Sequence, residues 1–127
     1  MERSHVMNLT VNQIRFLLAF LSLTIMGEDV ASKNIARILG VTRPSVHGML
    51  AQMIERGFIE KAHYGRARLT AEGLAVAQAL EAHRDKLMLL FIRRDALPMD
   101  EALIAATSLM GVLREESLQA LERQLDN

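Results

Sequence analysis

The chain has 127 residues, half of them hydrophobic, with 15 Lys or Arg balancing 15 Asp or Glu, and it contains no cysteine. That length accommodates one compact core burying about two-thirds of the unfolded surface, and the missing thiols exclude a disulfide framework and thiolate metal sites. The longest strongly apolar stretch, residues 16–26, is interrupted by Ser22 and Thr24 and falls short of the roughly 20 residues that span a bilayer, so a cytoplasmic protein with no membrane partner is expected.

Residues 1–8 are given no functional weight, because Met7 is an alternative start. Thr10 and Gln13 open a first helix as a capping box, with Leu9 and Ile14 as its staple. Ile14, Leu17, Leu18, Leu21 and Ile25 follow the helical period, while Phe16, Phe20 and Leu23 occupy the other side. Such a helix needs two apolar partners: either the core plus a second subunit, or a monomer interior all round. Gly27 is its expected end. Ser32 is the expected N-cap of a short second helix carrying Ile35, Ala36, Ile38 and Leu39, which Gly40 stops.

Thr42 caps a third helix, where Pro44 is tolerated because first-turn N–H groups have no intrahelical acceptor. Val46, Met49, Leu50 and Met53 are its buried stripe and Gly57 its exit. From Phe58 to Thr70 the helical period is lost around Tyr64-Gly65, which predicts a two-stranded hairpin that must lean on the helices. Thr70 caps a long helix to about Arg94 with Leu80, His83, Leu87, Leu90 and Arg94 on one stripe. Residues 95–100, with Pro98, break the pattern; helix then resumes from Asp100 to about Leu113 and again to about Leu125.

The informative segment is Ser32 to Met53. Ala36, Gly40 and Val46 meet the demands of two helices packed across a tight turn: a small side chain at the approach, a residue that tolerates positive φ, and an apolar lock. Ile35, Val41, Met49 and Leu50 fill the other inward positions, leaving Arg43, Ser45, His47, Gly48 and Gln52 outward, the types that reach base edges or phosphates. Ser32 and Lys33, with Thr42 and Pro44, start the two helices and join this expected DNA-binding set. The hairpin then has the position of a wing, bringing Lys61, Tyr64, Arg66 and Arg68. Residues 32–72 hold seven Lys or Arg against three Glu, a basic segment in a neutral chain suited to phosphate.

The run Ile35-Ala36, Leu39-Gly40-Val41, Pro44-Ser45-Val46, Gly57-Phe58-Ile59, Tyr64-Gly65, Leu69-Thr70, Glu72-Gly73 and His83-Arg84 resembles the iron- and manganese-dependent repressors related to diphtheria toxin repressor, over about residues 32–91. The resemblance implies a mainly α, winged helix-turn-helix protein with a short β-hairpin wing and a C-terminal helical dimerisation segment, divided as 9–70 and 71–127. It implies a homodimer on a palindromic double-stranded operator. Arg66 stands where the family usually has glycine. The family's metal site is not reproduced: Leu9-Thr10-Val11-Asn12-Gln13 offers no carboxylate, Leu87 stands four after His83, and residues 107–113 contain neither Glu nor His. His83 is the one residual metal candidate, and a single imidazole does not hold a divalent ion selectively. No cofactor is therefore expected.

No nucleophile elbow, His-Glu-x-x-His or phosphate-cradling glycine loop is present, which speaks against an enzyme. The expectation is a sequence-specific DNA-binding regulator, most simply a repressor, without a metal gate. Three alternatives keep the fold: a metal-dependent repressor with displaced ligands, a small-molecule-responsive regulator of the multiple-antibiotic-resistance repressor type, in which Met88 and Met110 would line an effector pocket, and a protein-interaction module that does not bind DNA, which Arg43, Arg66 and Arg68 together disfavour.

Overall fold

The computed structural model describes residues 8–25 and 29–126. Its elements are α1 (Val11–Thr24), β1 (Val30–Ala31), α2 (Ser32–Leu39), α3 (Arg43–Glu55), β2 (Ile59–Lys61), β3 (Arg66–Leu69), α4 (Ala71–Asp95), α5 (Met99–Met110) and α6 (Glu115–Glu122). This is a winged helix-turn-helix fold, mainly helical with one small antiparallel sheet. The chain forms two compact units, Arg15–Gln78 and the remainder, and the division falls inside α1 and inside α4.

In the Arg15–Gln78 unit, six consecutive residues of α1, Phe16 to Leu21, are buried. The chain itself covers both apolar sides of this helix, so no second subunit is needed to do so. Ile25 is exposed, and Gly27, the expected helix end, lies outside the described residues. The expected hairpin forms, with Ile59 opposite Leu69 and Lys61 opposite Ala67. A third strand, β1, joins its other side, pairing Val30 with Ala67 and Ala31 with Arg66. Sheet order is β1-β3-β2. This strand also corrects the start of α2: Ala31, still extended at the end of β1, is the N-cap, and Ser32 is already helical with no cap made by the preceding side chain.

Glycine sets both exits. Gly40 ends α2 at φ +67, and the Val41 N–H bonds back to the Ala36 carbonyl at 3.1 Å. Gly57 follows α3 at φ +82, with its own N–H on Ile54 and the Phe58 N–H on Met53, each at 3.0 Å. These are the paired bonds of a Schellman ending, which satisfy the last carbonyls of the helix. The inward stripe is narrower than expected: Val46 and Met53 are buried, Met49 and Leu50 are half-buried, and Ile38 and Val41 are exposed.

Thr70 joins the wing to α4. Its N–H bonds to the Phe58 carbonyl at 3.0 Å, its hydroxyl donates to the Gly57 carbonyl at 2.7 Å, and the same oxygen accepts the Gly73 N–H at 3.0 Å as the helix cap. Gly73 is required there, since a β-carbon at that position would lie 1.8 Å from the Phe58 carbonyl oxygen.

In the other unit, the Thr10 and Gln13 capping box forms reciprocally at 3.0 and 3.1 Å, with Leu9 and Ile14 buried. Leu80, Leu87 and Leu90 of α4, Ala102, Ala106 and Met110 of α5, and Leu118 of α6 are buried. α5 and α6 are separate helices, parted at Gly111, whose missing side chain leaves room for Val11; a β-carbon there would lie 2.3 Å from the valine methyl.

Gly73→Ala is expected to destabilise the protein by about 3 kcal/mol, because the clash is with backbone and not with a side chain that can swing away. Urea unfolding reads this directly; an unchanged midpoint would mean that the wing entrance yields without cost.

Candidate nucleic-acid interface

The first turn of α3 is built by its own sequence. Thr42, extended at φ −79 and ψ 158, accepts the Ser45 N–H at 3.3 Å, and its hydroxyl donates to the Ser45 hydroxyl at 3.0 Å. Arg43 is the first helical residue and Pro44 the second. Val46 anchors this turn in the core while Arg43, Pro44, Ser45, His47 and Gly48 are exposed around it. Gln52 is exposed one turn further on. The outward face of α3 therefore carries all the residues that the sequence assigns to it.

Gly48 is unusual within it. A glycine in a helix interior costs about 1 kcal/mol relative to alanine, yet a β-carbon here would meet nothing within 4 Å. Among the described residues no packing calls for the gap. It leaves α3 with a flat place where another molecule's surface can approach the helix backbone.

Beside α3 lies a groove of about 450 Å³, walled by His47, Leu50, Ala51 and Ile54 of the helix, by Lys61, Ala62, Gly65, Arg66 and Ala67 of the wing, and by Ser32. Its floor is apolar and its rim carries the cations Lys61 and Arg66. At the wing tip Tyr64 and Gly65 both have positive φ, 60° and 71°. Tyr64 points into solvent at 98% exposure, with its ring centroid 6.2 Å from that of His63. Lys33 is exposed in the first turn of α2, and Ser32 is half-buried.

The two wing arginines are not equivalent. Arg66 donates from Nη1 to the backbone carbonyl of Asp29 at 3.0 Å, which leaves its charge uncompensated by that bond. Arg68 places Nη2 3.3 Å from the Asp29 carboxylate. Sequence reading missed Asp29, Ala51 and Ile54. For Asp29 no local signal exists, since it is 37 and 39 residues away from the two side chains it meets.

Residues 22–63 match the IclR helix-turn-helix domain. No curated protein sequence matches the chain. Among solved structures, the chain is similar to the metal-dependent transcriptional regulator MtsR, at 21% identity and a TM-score of 0.81 over 93% of this chain and 55% of that one. It is similar to IdeR of T. acidophilum at 24% identity and a TM-score of 0.72, over 90% and 54% of the two chains. A hypothetical protein of Sulfolobus solfataricus matches at 20% identity and a TM-score of 0.69, over 92% and 89%. The chain thus has the fold of the metal-dependent regulators that its motifs resemble, and spans about half the length of the first two structures.

The metal site implied by that resemblance does not fit this donor set. The His83 Nδ1 lies 2.5 Å from the Glu122 carboxylate, with both side chains largely buried, and this pair joins α4 to α6. Asp100 turns its carboxylate onto the Glu101 N–H at 2.9 Å, a helix-start role. Among the described residues no three His, Asp or Glu side chains gather at one point. His83 and Glu122 make a structural pair, and Glu122 was invisible to a search for ligands at family spacing.

Gly48→Ala is expected to raise the stability of the folded chain by about 0.5–1 kcal/mol. A higher thermal midpoint checks this; a lower one would reveal an intramolecular constraint at this position.

Proposed function

We propose that the chain is a sequence-specific regulator of transcription that binds double-stranded DNA as a homodimer, represses from a palindromic operator, and is not gated by a metal ion. One observation carries this reading: the exposed, well-capped first turn of α3, bearing Arg43, Ser45 and His47, stands beside a groove whose far rim is the basic wing. A helix presenting its N-terminal residues to the major groove, with an adjacent element on the phosphates, is how helix-turn-helix proteins dock. Arg43 is the candidate for a bidentate guanine contact. Ser45, Thr42 and Lys33 suit phosphates, Gly48 and Pro44 provide close approach, and His47 and Gln52 read flanking edges.

The similar solved structures include a metal-dependent transcriptional regulator, and the matched domain is a helix-turn-helix; both support a regulator. Dimerisation is supported by apolar side chains that the chain leaves uncovered around α5, namely Met99, Ile104 and Val112, at 70%, 64% and 63% exposure. A two-fold dimer would set two α3 helices about 34 Å apart, one turn of duplex.

Selection from a random duplex pool, followed by titration of the retained sequence, tests the whole reading. Arg43→Ala is expected to cost about 1–3 kcal/mol on the selected sequence and little on others. Arg66→Ala should weaken all duplexes alike and lower the salt slope by about one. Gly48→Ala, though more stable, should bind more weakly. Sedimentation of the same sample should read a dimer at micromolar concentration. A parent protein that retains no duplex would remove the proposal.

The metal question has its own test. Binding to the selected duplex should be the same with chelator and with added manganese, iron or zinc, and His83→Ala should lower the unfolding midpoint while leaving duplex affinity nearly unchanged. One tight metal equivalent per subunit, lost with DNA binding in His83→Ala, would reinstate metal gating.

A further inference from the structure

The sheet register arranges the wing's charges in a way that counting lysines and arginines does not reveal. On the middle strand β3, Ala67 is buried and its neighbours Arg66 and Arg68 point to the opposite, exposed side. Arg68 is paired across β2 with Glu60, and paired residues share a face of the sheet. On its other flank, Asp29 immediately precedes β1 and holds Arg68 in the ion pair at 3.3 Å. Arg68 is thus ion-paired with Asp29 and has Glu60 as its register partner on the other flank. Arg66 has Ala31 as its β1 partner and the Ala62 N–H bonded to its carbonyl; its guanidinium meets Asp29 through the backbone carbonyl and makes no ion pair among the described residues, and Arg66 and Lys61 both line the groove beside α3.

Resting on the reading of the chain as a DNA-binding protein, we infer that Asp29 and Arg68 form a positioning pair that fixes the wing, and that only Lys61 and Arg66 carry the wing's charge to the phosphate backbone. Asp29 acts at two points: its carboxylate holds Arg68 and its backbone carbonyl holds Arg66. Both bonds tie β3 to the residue that precedes the short edge strand β1, which contributes two residues to the sheet. An arginine already paired with the Asp29 carboxylate adds no net charge for a phosphate to meet, and its displacement of counterions on binding is correspondingly small. The wing's contribution to the salt dependence of binding then comes from two cations instead of three.

The experiment uses the full chain and the selected duplex, with affinity measured across a salt series and the unfolding midpoint of each variant recorded so that binding is read well below it. Arg66→Ala and Lys61→Ala are each expected to lower the salt slope by about one. Arg68→Gln and Asp29→Asn are each expected to weaken binding by about two- to fivefold, in line with loss of one cross-strand pair, with the slope unchanged. The double variant should be no weaker than either single one, since both remove the same interaction. A slope lowered by about one in Arg68→Gln, or tighter binding by Asp29→Asn, would overturn the inference and make Arg68 a phosphate contact held in check by Asp29. Absence of duplex binding by the parent protein is a separate result, which refutes the DNA-binding reading itself and this assignment with it.

Discussion

The carbonyl oxygen of Phe58 occupies space that any side chain on residue 73 would need, and the wing is fixed to the chain through that contact. Around it, Gly57 turns the backbone out of α3, Thr70 hydrogen-bonds back to both Gly57 and Phe58, and the same threonine caps α4. A hairpin of three- and four-residue strands has too little surface to be stable alone. Its entrance and exit are therefore tied to the same two residues, so that the wing departs from the end of α3 at one fixed place. The groove between helix and wing depends on this junction for its width.

The face of α3 shows what that junction is for. Only Val46 and Met53 of the helix are fully buried, with Met49, Leu50 and Ile54 half-buried beside them, a small anchorage for thirteen residues, and most other positions carry exposed polar side chains or the open Gly48. A helix that served the core alone would bury a wider stripe. The narrow burial matches an element capped by Thr42 at one end and turned at Gly57 at the other, seated on one side and open on the other.

In the other unit burial dominates, and the polar pair His83 and Glu122 is itself largely buried. A histidine placed where a metal ligand is implied by family resemblance has here a carboxylate partner from α6. Pairing satisfies an imidazole that would otherwise be buried without a hydrogen bond, and it fastens α6 to α4.

Local chemistry made much of the protein legible. The Thr10 box, the Thr42 and Thr70 caps and the Gly40 and Gly57 turns each follow from side chains within five residues of one another, the hairpin follows from the lost helical period around Tyr64-Gly65, and the exposed set on α3 follows from a helical period counted from Val46. What the sequence alone could not determine were contacts between distant segments. β1 is two residues long and has no period to detect; its existence depends on β3 being present to pair with it. Through β1, Ala31 displaces Ser32 as the cap of α2, and Asp29 meets arginines more than thirty residues away. Likewise the burial of both sides of α1 within one chain, the exposure of Val41 and Ile38, and the engagement of His83 by Glu122 were decided by the tertiary structure, because periodicity reports which residues share a face and says nothing of what lies against it.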